Sequence, residues 1–282
     1  MGKIKIFADS TCDLTPELIK ENDISIVPLY VVFDEETYRD GVDITPEELY
    51  KKVDEYGKLP KTAAASPADF QKAFEPYINE GYDILYIGIS SKLSSTIQNA
   101  MIAANQFPEG RIEVVDSLNL STGIGFLVMK AVDYVKEGLS LKEIAAKIRE
   151  KVKKIETRFV VDTLEYLYKG GRCSGLQNFV ASMLKIRPMI KVEDGKMGVA
   201  EKIRGRRERV LKRLLDVVLK NKDVVDGERL FITHSLGEEG AKYIKEELEK
   251  TINIKDIIIT DAGCVISCHC GPKTVGIIYS TK

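Results

Sequence analysis

The chain is punctuated by short apolar runs that each end in small polar residues. Ile4–Ala8 leads into Asp9-Ser10-Thr11, and Ile84–Ile87 leads into Ser90-Ser91. The same happens at Asp116-Ser117, Asp162-Thr163, His234-Ser235 and Asp261-Ala262-Gly263. A continuous apolar run bounded by turn residues reads as a buried strand, and stretches with helical spacing follow most of these runs. Strands alternating with helices imply an α/β class with mostly parallel sheets covered on both faces. In open sheets of that kind, ligands sit beyond the carboxyl ends of the strands. Capping of the next helix explains most of the polar ends one by one; as a group they predict a cleft lined by hydroxyls.

The first half reads as strand at 4–8, 24–33, 84–89 and 112–115. Helices are predicted at 16–21, 46–55, 67–79, 93–105, 121–136 and 141–153, with Thr45, Ser66 and Ser140 as N-caps and Glu143 completing a capping box. The second half reads as strand at 159–161, 230–233, 257–260 and 275–279. Helices are predicted at 163–168, 176–185, 206–219 and 238–249, and the turn Glu193-Asp194-Gly195-Lys196 predicts a hairpin. We place two α/β domains at residues 1–155 and 156–282, and no Pro- or Gly-rich linker separates them.

The 282 residues are 44% hydrophobic and 30% charged, with a net charge of −1. That balance argues against nucleic acid as a partner. No apolar run approaches membrane-spanning length. The start of the chain runs straight into a strand pattern and does not read as a signal peptide. The cytoplasm is the expected compartment, with the five cysteines as reduced thiols.

Two segments stand out as candidate ligand loops: Lys61-Thr62-Ala63-Ala64-Ala65-Ser66-Pro67 and Ile89-Ser90-Ser91-Lys92-Leu93-Ser94-Ser95-Thr96. Each reads as a loop opening into a helix, where hydroxyls and free backbone N–H groups form a cup for an anion. Gly123-Ile124-Gly125 lacks the third glycine of a dinucleotide fingerprint and reads as helix packing. Gly271-Pro272-Lys273-Thr274 has proline where a phosphate loop needs glycine, and no nucleophile elbow is present. Cys264, Cys268, Cys270 and His269 have the wrong spacing for a zinc ribbon or finger. His269 reads as part of a bent loop, where structural hydrogen bonding and ligand contact are both open to it. Arg172, in Lys169-Gly170-Gly171-Arg172, and Arg204, in a second cationic run, read as surface charge or as a docking patch for a phosphate or an acidic partner.

At these motifs the chain resembles the DegV family of bacterial fatty-acid-binding proteins. The resemblance rests on Ala8-Asp9-Ser10-Thr11 with Asp13-Leu14, Val27-Pro28-Leu29, Lys61-Thr62, Ser90-Ser91-Lys92-Leu93-Ser94, Val115-Asp116-Ser117, Gly170-Gly171-Arg172 and His269-Cys270-Gly271-Pro272, all in order along the chain. It implies two α/β domains with a long-chain fatty acid at their interface as ligand and no other cofactor or metal. It implies that the carboxyl is held by Thr62 and Ser94, with His269 as a further contact. It also implies an ATP-dependent fatty acid kinase subunit as partner, making an acyl phosphate for phospholipid synthesis. The chain departs from the family pattern at Ala63-Ala64-Ala65 and at Ser95, where glycine is usual; Ser95 is an additional candidate head-group contact. The competing readings are a hydrolase using Ser94 or Ser10 with His269, and a regulatory protein that senses a small acid.

Overall fold

The computed structural model describes residues 2–174 and 186–282, so the helix read at 176–185 lies outside the described residues. In the first half the strands are β1 (Ile4–Asp9), β2 (Ser25–Val27), β3 (Tyr30–Phe33), β4 (Glu36–Arg39), β5 (Lys61–Ala63), β6 (Asp83–Gly88) and β7 (Ile112–Asp116). Its helices are α1 (Pro16–Glu21), α2 (Pro46–Tyr56), α3 (Pro67–Asn79), α4 (Thr96–Ala104), α5 (Thr122–Lys136) and α6 (Leu141–Val152). There follow β8 (Ile155–Val160), α7 (Glu165–Gly170), β9 (Cys173–Ser174), β10 (Ile186–Glu193), β11 (Lys196–Arg204) and α8 (Arg207–Lys220). The chain closes with β12 (Val225–Ser235), α9 (Glu238–Thr251), β13 (Asp256–Asp261), α10 (Cys264–Cys270) and β14 (Thr274–Thr281).

Local punctuation fixes the helix starts. Thr45, Ser66 and Ser140 each accept from the backbone N–H three residues on, and Glu48, Asp69 and Glu143 reach back to complete capping boxes. Proline at the first turn of α2 and α3 costs nothing, because that N–H has no intrahelical partner.

The parallel sheet expected from the alternation is present in the first half, in the order β2-β1-β6-β7 with every pairing parallel. A separate antiparallel sheet, β4-β3-β5, stands beside it. The run read as one strand at 24–33 is therefore split between two sheets. Pro28 has no N–H for a ladder, and the chain changes sheet there.

The sheet of the second half runs β13-β12-β14-β8-β10-β11-β9 among the described residues. It departs from the parallel expectation: β12–β14, β14–β8, β8–β10 and β10–β11 are antiparallel. Two connections explain this. Asp194 and Gly195 both take positive φ, 49° and 79°, in a tight hairpin turn between β10 and β11. The link from β13 to β14, residues 262–273, carries a single helix, the seven-residue α10, about 10 Å long. That is too short to return along the sheet, so α10 sits at the strand ends.

Helix α5 forms the layer between the two halves. Its residues from Thr122 to Met129 are all buried, as a helix apolar on every face must be. It contacts β1 and β6 on one side and β8, β12 and β14 on the other. A Cβ at Gly125 would lie 2.7 Å from the Cys12 carbonyl oxygen, so Gly123-Ile124-Gly125 serves helix packing, as read. One apolar cluster extends through this layer from Ile6 to Ile278.

Candidate functional site

A cavity of about 230 Å³ lies at the strand ends and is lined by residues of both halves. Thr62, Ser94, Ser95, Arg172 and His269 all line it. Arg204 does not. It is exposed at the end of β11, seven residues past Met197, the register partner of Cys173 next to Arg172. At the rise of a strand that separates the two arginines by roughly 20 Å, so they do not form one patch.

Thr62 lies in strand rather than loop. It stands opposite Val31 on β5, and β3 fixes its direction. The second segment leaves β6 as a turn, with the Leu93 and Ser94 N–H groups donating to the Ser90 carbonyl at 2.9 and 3.1 Å. Helix α4 begins only at Thr96, later than expected, because the turn consumes residues 93–95. Two distant groups brace this turn. The Asp9 carboxylate accepts from the Ile89 N–H at 2.9 Å, and the Ser90 hydroxyl donates to the Gly195 carbonyl at the hairpin tip at 2.8 Å. The Ser94 oxygen accepts from the Thr96 N–H at 3.3 Å and lies 2.8 Å from the Thr96 hydroxyl. When Thr96 donates, the Ser94 proton is free for a ligand. Ser95 makes no cap bond and leaves its hydroxyl at the cavity rim.

His269 lies in the last turn of α10, not in a loop. Seven residues rich in Cys, Val and Ile carry no helical period, so the sequence hides this helix. The imidazole Nε2 is 3.0 Å from the Thr62 hydroxyl. Its Nδ1 is buried without a partner among the described residues. That nitrogen faces Gly170, where any Cβ would overlap it. Gly171 follows at φ 66° and ends α7, which turns Arg172 back so that its guanidinium donates to the Gly170 carbonyl at 2.9 Å. Burial, and secondarily the Arg172 charge, push the imidazole down to about 4, so it is neutral near pH 7.

Beyond this head group the wall is largely apolar, formed by Leu93, Phe159, Leu167, Met197, Ile266 and Ile278. The strand-end hydroxyls that reach it are bonded within the protein. Thr233 lies 2.5 Å from Thr122 and 2.9 Å from Thr260, and Ser235 lies 2.6 Å from the Tyr50 hydroxyl. Asp116 accepts from the Ser91 and Leu118 N–H groups and so braces two loops, rather than capping the next helix as the capping reading expected.

Ser10, the other serine considered as a nucleophile, donates to Asp40 at 2.9 Å and accepts from the Leu29 N–H, away from the cavity lining. His269 meets a threonine, and no carboxylate orients its Nδ1 among the described residues. Among the described residues, the arrangement needed for His269 to activate Ser94 or Ser10 is therefore not assembled. No group of three or more His, Cys, Asp or Glu side chains is placed to hold a metal among the described residues. Burial pushes the Cys270 thiol up to about 12. No described helix is long and apolar enough to cross a membrane. Sequence reasoning missed Gly170 as the backing of the imidazole; the glycine doublet was its only signal.

Comparison with known proteins matches the chain to a family by its sequence and fold. A DegV domain-containing protein of Caldanaerobacter subterraneus is 37% identical over the full length of both chains. The structure of a fatty acid binding DegV family protein from Thermus thermophilus superposes with a TM-score of 0.92 at 32% identity, covering 99% of this chain and 100% of that one. The Streptococcus pneumoniae fatty acid kinase B3 protein, loaded with linoleic acid, superposes with a TM-score of 0.87 at 25% identity, covering 99% and 100%. The model of the DegV family, described as an uncharacterised protein family, matches residues 3–282, and this chain belongs to that family.

Proposed function

We propose that this chain binds a long-chain fatty acid, its carboxyl group at Thr62, Ser94 and His269 and its tail along the apolar wall. It presents that carboxyl to a separate ATP-dependent kinase, which forms the acyl phosphate. The observation that carries this reading is the neutral Thr62–His269 pair at the head of an apolar cavity. A tail of about fourteen methylenes gains on the order of 11 kcal/mol from burial at about 0.8 kcal/mol each, partly offset by association and ordering. The hydroxyls therefore orient while the tail holds. When Nε2 carries the imidazole proton and donates to Thr62, the Thr62 O–H is free to donate to the carboxylate. Neutral donors suit a group that must later attack phosphorus, because a buried cation would stabilise the carboxylate before transfer. Ser95 is proposed as an additional head-group contact. Arg172 at the rim and Arg204 farther out are assigned to the partner or to phosphate. The domains are assigned as 1–155 and 156–282, and the compartment as the cytoplasm.

Lipid extracted from the purified protein and identified by mass spectrometry tests the ligand class. Thr62→Ala with Ser94→Ala should retain extractable fatty acid yet lower kinase-dependent acyl phosphate formation by at least tenfold. Wild-type turnover by the double variant would overturn the head-group assignment, and ester hydrolysis by the isolated wild-type protein would favour a hydrolase.

A further inference from the structure

Two buried carboxylates that the proposed function does not use converge on the start of the helix bearing His269. Asp13 Oδ1 accepts from the Gly263 N–H at 2.9 Å, and Asp40 Oδ1 accepts from the Cys264 N–H at 2.7 Å. Their other oxygens are held within the first half: Asp13 Oδ2 accepts from Ser121 at 2.6 Å and Asp40 Oδ2 from Ser10 at 2.9 Å. Both acids are almost fully buried, at 5% and 2% exposure. Gly263 is part of the fit, since a Cβ there would stand 3.2–3.3 Å from three of these carboxylate oxygens.

The connectivity gives the contact its meaning. Thr62 and Ser94 belong to the first half, whereas His269 arrives from a segment more than 170 residues later. Helix α10 is only seven residues long and lies at the sheet's end. Hydrogen bonds from two separately anchored carboxyl groups to its orphan N–H groups are short and directional, so they hold the amino end of the helix in place. We infer that Asp13 and Asp40 are positioning residues for the acid-binding site: by holding the amino end of α10 from the opposite half, they set His269 against Thr62. This inference rests on the proposed function for the role of His269, but its geometric part holds without ligand.

The test uses the full-length protein stripped of lipid, with 15N-labelled histidine. The chain has two histidines, so His269→Gln assigns the ring resonances. Asp40→Ala should shift the His269 ring nitrogens by several ppm, whereas Asp40→Asn, which keeps an oxygen for the Cys264 N–H, should restore them. With [1-13C]palmitate, wild-type protein should give a carboxyl resonance that moves in His269→Gln. Asp40→Ala should move it the same way while weakening palmitate retention less than threefold. Unchanged His269 and carboxyl signals in folded Asp40→Ala overturn the inference, and so does failure of Asp40→Asn to restore them. Where Asp40→Ala does not fold, Gly263→Ala decides. Its crowded carboxylates should displace the same resonances, and an unperturbed spectrum rejects positioning. If wild-type protein binds neither palmitate nor oleate, the proposed function fails, while the ligand-free His269 shifts still decide the positioning contact.

Discussion

At the scale of single residues, the imidazole of His269 is the most informative group. An unfolded histidine titrates near 6.5, whereas burial brings the folded value to about 4. As pH falls, the unfolded chain takes up the proton first. The stability tied to the neutral ring is full above 6.5 and lost as pH falls through 4. At about 1.4 kcal/mol per pH unit, ligand-free wild-type protein should lose about 3 kcal/mol relative to His269→Gln across that window. Urea midpoints at pH 7, 5.5 and 4.5 measure it, and a difference constant with pH would mean that the ring is hydrated. Burial raises Asp9, Asp13 and Asp40, which acts in the opposite sense, but both chains share that contribution. That Thr62, Ser94 and His269 come together in one cavity was legible through hydroxyl-bearing segments and a family pattern. The part played by Asp40 was not, because its partner is a backbone N–H 224 positions away and no side-chain type announces such a bond.

At the scale of elements, legibility followed the locality of the determinants. Helices α2, α3 and α6 start where their capping residues stand, because both members of each box lie within one turn. The hairpin of β10 and β11 was legible for the same reason. Strand β5 and helix α10 were not, since β3 makes the first a strand and distant carboxylates cap the second. The hairpin also has a second task. Gly195 holds φ 79° and receives the Ser90 hydroxyl, and a Cβ there would come within 2.5 Å of that oxygen and 3.1 Å of Leu118 and Lys92. Gly195→Ala pays about 1–2 kcal/mol for the left-handed backbone alone. It should lower the melting temperature by about 2–8 °C at about 2–4 °C per kcal/mol, with reduced fatty acid retention as the turn bearing Ser94 shifts. Circular dichroism melts and lipid extraction read the two effects. Retention equal to wild type would confine Gly195 to hairpin geometry.

At the scale of the whole molecule, the proposed partner contacts at two arginines set how broad such a partner must be. Arg172 stands at the cavity rim and Arg204 roughly 20 Å along β11. One protein surface of ordinary size, about 800 Å² per partner, spans both. Arg172→Glu and Arg204→Glu should each lower kinase-dependent turnover several-fold while leaving fatty acid content unchanged, as measured by coupled assay and lipid extraction. Parallel loss of bound lipid would reassign them to folding. The α/β class was legible from strand and helix alternation, but the antiparallel order of the second sheet depends on how short α10 is, which alternation does not encode. The first two turns of helix α5, buried on every face, have a further consequence. A chimaera joining the first half of this chain to the second half of a relative would inherit mismatched surfaces where that helix meets β8, β12 and β14. Recombination within the family is therefore constrained to exchange α5 together with whatever packs on both its sides.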